Sequence, residues 1–437
     1  MARNQQRCKR CIRKALMPWV VVVLMAMLLS LIPSAGIAET IKVAANSWPT
    51  FDRVKAMIPE FERKTGIKVV VEEMPYMEFH GKLMVGLTAQ TGMYDLITLN
   101  PDWAPGLLAE GFLYPFDEFL QDPSVSLPGF DVEDFFDSSM ERFIYEGKVY
   151  GFPFETGLFV NYYRTDLFQQ KGLDVPQTWD EYAEVAKKLT LDINGDGEID
   201  IYGANLPGKR TVYGAIEFIT RLWSYGGEVV DKDWNPTFNG WEGLRALQDE
   251  VDLIYKYKVC PKGVLEYGYD EMGPLFLEGK LAMATDWIHV STLASDPGKS
   301  KVVDKWWLAP RPGIGWTGTW CFALPADSKH KEAAFRLAQY LTTKDALRKL
   351  ALQGISTTRA SVMKDPKILD QYPTFRPIVA AIERARPVFF SLVFEQMFDI
   401  LALETSSALA GQKSVQKALN DAATQMRKVF EQEGYYK

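Results

Sequence analysis

Between Ile41 and Leu99 the chain alternates repeatedly between a period of two residues and one of 3.6, and no other feature restricts its fold as strongly. Ile41–Asn46 reads as a strand. Val54, Met57, Ile58 and Phe61 then fall at i, i+3, i+4 and i+7, the spacing of one helix face, and Gly66 stops the helix. Ile67–Glu72 is β-branched and extended. Tyr76–Ala89 sets Phe79, Leu83 and Leu87 on one helical face, and Asp95–Leu99 is a third strand. This βαβαβ order predicts an α/β fold with parallel strands and right-handed crossovers. In open sheets of that kind, ligands bind beyond the carboxyl ends of the strands.

Three apolar runs end at such an edge in an amide or carboxylate followed by tryptophan. They close in Asn46-Ser47-Trp48, Asn100-Pro101-Asp102-Trp103 and Asp286-Trp287. A flat apolar ring beside a polar acceptor suits a molecule with an apolar face and a rim of hydroxyls, which describes a sugar. Further candidates are Glu155 as an acceptor, and Trp223 and Tyr225 at a helix end before Gly226-Gly227. Trp316 and Trp320 flank Gly318, where the backbone can approach a ligand closely.

Six basic residues (Arg3, Arg7, Lys9, Arg10, Arg13 and Lys14) precede the apolar run Val20–Ile32, with Gly36 and Ala38 at a small-residue cleavage point. Residues 1–38 therefore read as a cleaved export signal; an apolar run this short falls below the ~20 residues of a membrane span. Without the leader, 43 basic residues face 56 acidic ones, a net charge of −13. An acidic exported chain without a basic stripe makes no nucleic-acid binder. Cys8 and Cys11 leave with the leader. Cys260 and Cys321 remain, and spacing does not decide whether they pair.

At 437 residues the chain exceeds the size of one core, so two lobes are expected. Asp192-Ile-Asn-Gly-Asp-Gly-Glu-Ile-Asp200 sets oxygen-bearing side chains at Asp192, Asn194, Asp196, Glu198 and Asp200 around Gly197, the first nine positions of an EF-hand loop. The match points to a structural calcium ion, although position 12 is Gly203 rather than glutamate. An Asx-rich turn is the alternative reading. Thr178 with Glu181 forms a capping box on the helix that precedes this loop. No hydrolase elbow, zinc helix or phosphate loop is present. Glu155 with Asp102 or Asp286 supplies carboxylates for glycosidase chemistry, but in a sugar cleft such groups more often accept hydrogen bonds.

The leader, Phe61-Glu-Arg-Lys-Thr-Gly-Ile-Lys-Val, Tyr162-Tyr-Arg-Thr-Asp-Leu-Phe168, Phe276-Leu-Glu-Gly-Lys-Leu-Ala-Met-Ala-Thr-Asp-Trp287 and Gly354-Ile-Ser-Thr-Thr-Arg359 together resemble the carbohydrate-binding solute-binding proteins of ABC importers. The resemblance implies a periplasmic-binding-protein fold, type II-like, in which each lobe is a mostly parallel sheet flanked by helices and a multi-strand hinge joins them. It implies an amino-terminal lobe of 39–152 with 320–365 and a carboxyl-terminal lobe of 153–319 with 366–437. It also implies a sugar ligand, with Trp48, Asn100, Asp102, Trp103, Trp223, Tyr225 and Trp287 near it and Arg359 in a loop by the lobe crossing. The partners implied are ABC permease subunits, which supply the only membrane contact of a monomeric periplasmic protein. The rival expectations are an exported carbohydrate-active enzyme on the same fold, a receptor-presenting binding protein, or a polyol, glycerol phosphate ester or polyamine as ligand.

Overall fold

The computed structural model describes residues 39–387, 391 and 393–436, so the expected signal at 1–38 lies outside the described residues. Strands β1 (Thr40–Asn46), β2 (Lys68–Met74) and β3 (Leu96–Leu99) run parallel, with Val43 of β1 opposite Val71 on one side and Leu96 on the other. β4 (Gly151–Glu155) closes the first run of the chain through this sheet. β5 (Phe159–Arg164), β6 (Met283–Trp287) and β7 (Trp306–Pro310) build a second sheet. β8 (Trp320–Pro325) returns to the first, antiparallel to β3, β4 and the two-residue strand Leu113–Tyr114. The first sheet therefore has six strands.

Both sheets are covered on both faces. In the first, Ile41, Val43, Ala45, Phe322 and Leu324 enter one core, while Ala44, Ile97, Leu99, Cys321 and Ala323 enter the other. This is the period-two alternation of a strand buried on each side. In β5, Phe159 faces one core of the second lobe and Val160 and Tyr162 face the other. The second sheet departs from the mostly parallel expectation: its three strands, β7-β5-β6, are all antiparallel. Burial on two faces is written in the residues of a strand, whereas strand direction depends on the connections, here long helical insertions.

Helix breaks follow local chemistry that periodicity does not carry. The single helix expected to end at Gly66 is two, Pro49–Lys55 and Ile58–Thr65, the second beginning beside Pro59, which has no N–H to continue a helix. The expected run Lys331–Gln353 also divides, because the Thr343 hydroxyl accepts from the Ala346 N–H and opens a new helix at Lys344. The Thr178–Glu181 capping box is present on the helix Trp179–Lys188. Cys260 and Cys321 are free and buried in separate cores. No helix among the described residues is long and apolar enough to cross a membrane.

The chain passes between the sheets at 156–158, at 311–319 and near 354–359, and these segments lie side by side. The Gly318 N–H donates to the Gly157 carbonyl at 2.9 Å, Leu158 bridges to Thr317, and the Thr156 hydroxyl donates to the Thr357 carbonyl at 3.2 Å. A side chain at Gly157 would place its Cβ 2.1 Å from the Gly318 oxygen, and one at Gly318 would sit 2.3 Å from the Trp316 ring. Gly318 thus serves the packing of the crossing strands and also lines the cavity between the lobes. Gly157→Ala is expected to lower stability by about 2 kcal/mol through this overpacking. The readout is a lower urea midpoint at unchanged m value.

Candidate functional site

The strand ends that the sequence marks meet along one edge. β1, β2, β3 and β4 of the first sheet and β6 of the second deliver the residues after their carboxyl ends to a common cleft. A cavity of about 320 Å³ lies there between the lobes. Trp48, Asn100, Asp102 and Glu155 line it from the first lobe, Trp287 from the second, and Trp316 and Trp320 from the crossing strands. A hollow of about 860 Å³ on the second lobe is larger, lined by Trp179, Arg221, Arg245 and Asp249. It lies within a single lobe and meets no strand end, so the inter-lobe cavity is the candidate site.

The rings form two groups, one on each side of the cleft. Trp48 packs on Trp320 with centroids 4.9 Å apart, and Trp320 meets Trp103 edge-on at 5.9 Å. Across the cleft, Trp287 meets Trp316 at 5.9 Å and Tyr213 at 5.7 Å, both edge-on. Glu155, the last residue of β4, holds the first group in place. Its two oxygens accept from Trp48 Nε1–H at 2.6 Å and from the Thr50 hydroxyl at 2.7 Å. Burial pushes the Glu155 carboxyl above its usual range, and the two hydrogen bonds oppose that shift. Asp102 is also pushed up by burial and pulled back by the Arg142 guanidinium, 3.7 Å away. Arg142 in turn donates to the Pro101 carbonyl and lies 5.3 Å from the Phe394 ring of the second lobe. The Asn100 side chain accepts from the Asp102 N–H at 2.8 Å, which fixes the turn that presents Asp102.

Several expected contacts lie elsewhere. Trp103 is buried behind the lining, between Tyr76 at 5.2 Å and His80 at 4.4 Å. Trp223 is buried under the Arg386 guanidinium, and the Tyr225 hydroxyl donates to Asp249. Arg359 is 1% exposed and belongs to the packing of the first lobe. It donates to the carbonyl of Thr342 at the end of the helix Lys331–Leu341 and to that of Asp131, and it covers Phe130 and Phe135. A cation at a helix carboxyl end satisfies carbonyls that have no partner within the helix. Asp286 turns away from the cavity, its Oδ1 accepting from the Trp287 N–H and its Oδ2 facing the helix Tyr269–Leu277 at Gly273 without a partner.

The lining includes residues absent from the expected set, among them Tyr76, Tyr213 and His289. Tyr76 follows β2 as Trp48 follows β1, so the same strand-end rule applied to Met74-Pro75-Tyr76 finds it. Tyr213 opens a helix after an irregular segment, and no periodicity marks it. The Asp192–Asp200 loop lies away from the cleft and is closed by its own turns. Asp192 accepts from the N–H groups of Gly195 and Gly197, Asn194 from that of Asp196, and Asp200 from that of Ile193. Glu198 pairs with Lys262. Among the described residues no group of three or more His, Cys, Asp or Glu is gathered for a metal.

Asp286 has a measurable consequence. Burial pushes its carboxyl up to about 8, above an unfolded value near ~3.9. The folded state therefore favours the protonated acid, and that stabilisation is complete below about pH 4 and lost as pH rises through about 8. Asp286→Asn keeps the shape of the neutral acid. It is expected to flatten this decline, so that unfolding free energies measured at pH 5 and pH 8 differ less than in the parent chain.

The family model described as bacterial extracellular solute-binding protein matches residues 47–347. A mannitol-binding protein of Pseudomonas aeruginosa is 29% identical, over 92% of this chain and 95% of its own. A solute-binding protein from Agrobacterium radiobacter K84, solved in complex with ribitol, superposes with a TM-score of 0.75 at 28% identity, covering 90% of this chain and 99% of that one. A maltose-bound protein from T. maritima gives a TM-score of 0.76 at 26% identity, over 90% of this chain and 100% of that one.

Proposed function

This chain belongs to the bacterial extracellular solute-binding proteins, and from that premise we propose that it captures one monosaccharide or short polyol between its lobes for an ABC importer. One observation carries the choice of ligand size: the inter-lobe cavity holds about 320 Å³. That is the low end of the ~300–1,000 Å³ range of small-molecule sites, enough for one sugar unit or a linear polyol but short of an oligosaccharide. The ring pairs supply apolar faces for C–H surfaces, and Asp102, Asn100 and Glu155 supply acceptors for hydroxyls. A relative named for mannitol binding and neighbours solved with ribitol and maltose agree with a sugar or polyol.

Closure follows from the architecture. A ligand that touches Trp48 and Trp287 at once bridges two lobes, so its contacts are complete only when the cleft is shut, and binding shifts the population toward that state. Export to the periplasm, delivery to permease subunits and action as a monomer complete the reading. Binding is favoured over glycoside hydrolysis because both Glu155 oxygens already accept from Trp48 and Thr50, which fixes that carboxylate as a support for the ring.

Isothermal titration against a panel of hexoses, pentitols and hexitols is expected to give 1:1 binding to at least one member. Trp48→Ala and Trp287→Ala are each expected to weaken that affinity by about tenfold or more, the loss of one stacking surface. Panel-wide absence of binding, with tight binding to a maltooligosaccharide, would overturn the size argument.

A further inference from the structure

The charge around the cavity is one-sided. Among the described residues, Asp102 and Glu155 line it and no lysine or arginine does. Asp102 has Arg142 3.7 Å away, outside the cavity lining. Glu155 has no cation: both of its hydrogen-bond donors, the Trp48 indole and the Thr50 hydroxyl, are neutral, and no ion pair reaches it among the described residues. His289 adds an imidazole that partial burial pushes toward its neutral form. The next charges outward are also acidic. Glu395 acts on Asp102 and Tyr76, and Asp270 acts on His289.

Around these carboxylates stand six aromatic rings, those of Trp48, Tyr76, Tyr213, Trp287, Trp316 and Trp320. The face of an aromatic ring is the negative side of its quadrupole, so a ring-lined cavity attracts a cation and gives nothing to an anion. A buried carboxylate without a counter-charge costs free energy that a positive group beside it would offset. A neutral hydroxyl can donate to Glu155, but it leaves that charge uncompensated. Rings, carboxylates and missing cations all favour the same occupant.

We propose that the cleft is built for a polyhydroxy ligand bearing one positive charge, an amino sugar or an aminopolyol, and that Glu155 is the residue that selects the charge. The proposal rests on the sugar or polyol reading above and refines its chemical class. The ammonium group sits among the rings near Glu155, while hydroxyls are met by Asp102 and Asn100. Phosphorylated sugars and sugar acids are disfavoured, since no lysine or arginine among the described residues lines the cavity to receive them and burial holds the His289 imidazole toward its neutral form.

The test compares ligands of one skeleton by isothermal titration at pH 7: D-sorbitol, 1-amino-1-deoxy-D-sorbitol and D-gluconate, and in parallel D-glucose, D-glucosamine and D-glucuronate. In the set that binds, the amine is expected to bind about tenfold or more tighter than its neutral partner, and the acid weakest of the three. Glu155→Gln removes the charge and keeps an acceptor for Trp48, so the amine-to-neutral affinity ratio is expected to fall at least about fivefold. Asp102→Asn, where Arg142 already lies 3.7 Å from the carboxylate, is expected to move that ratio less, and serves as the second variant if the first does not fold. A neutral member that binds as tightly as its amine overturns this inference and leaves the sugar or polyol reading standing. Failure of all six compounds to bind overturns both.

Discussion

Everything in the cleft depends on the contact between Gly157 and Gly318. Two strands pass from sheet to sheet with the Gly318 amide on the Gly157 carbonyl, in a space that admits no side chain on either residue. Trp316 lies across Gly318 and Trp287 approaches Gly157, so both rings take their position from that backbone contact. Leu158 and Thr317 extend the pairing, and Thr156 ties it to the third crossing through the Thr357 carbonyl. Three adjacent segments resist twisting while allowing a bend, which directs relative motion of the lobes into opening and closing.

The site is assembled from ends of elements rather than from their middles. β1 and β4 stop at the same edge, and the charge at the end of β4 is spent on the ring that follows β1. Trp48 is thereby fixed by a residue that lies at the root of the first crossing. Glu155 also sits opposite Trp320 in the register of β4 and β8, beside the irregularity between Trp320 and Cys321. At this shift of register the Trp320 ring packs on Trp48. Ring stack, carboxylate and hinge form one connected unit, so a change at Glu155 acts on all three.

Much of this was legible in the residues. The βαβαβ alternation predicts β1 to β3 and their parallel order, and the tryptophans after strand ends point to Trp48 and Trp287 on opposite sides of a cleft. Periodicity does not report the breaks at Pro59 and Thr343, where one missing N–H or one hydroxyl cap interrupts a continuous apolar stripe. It is equally silent on the direction of β5 to β7. Side-chain direction was the other limit. Asp286 and Trp287 are neighbours on one strand, so they must point to opposite faces, and only one can meet the cavity. Arg359 shows the same limit in a loop: its place in the chain lies near the crossing, but its guanidinium is claimed by the end of a helix and two phenylalanines.

The second lobe must also move as one body if the cleft is to close cleanly, and a buried charge cluster supplies that rigidity. Arg311 begins the second crossing directly after β7, and it pairs with Glu217 in the middle of the helix Val212–Ser224. Arg221, one turn on, pairs with Glu217 at 3.1 Å and approaches Glu250 on the helix Trp241–Tyr255 at 3.6 Å, with the Trp179 ring stacked 3.7 Å from its guanidinium. All four side chains are nearly inaccessible to water, and burial pushes the Glu250 carboxyl up toward its neutral form. Pairs of this kind contribute little net stability, because desolvation offsets their attraction, but separating them is costly. The helix that carries Glu217 also carries Tyr213 at its start, in the cavity wall. The root of the crossing strand and the wall of the cleft are thus held at a fixed distance by charges that cannot part, and bending is left to the few residues around Gly157 and Gly318.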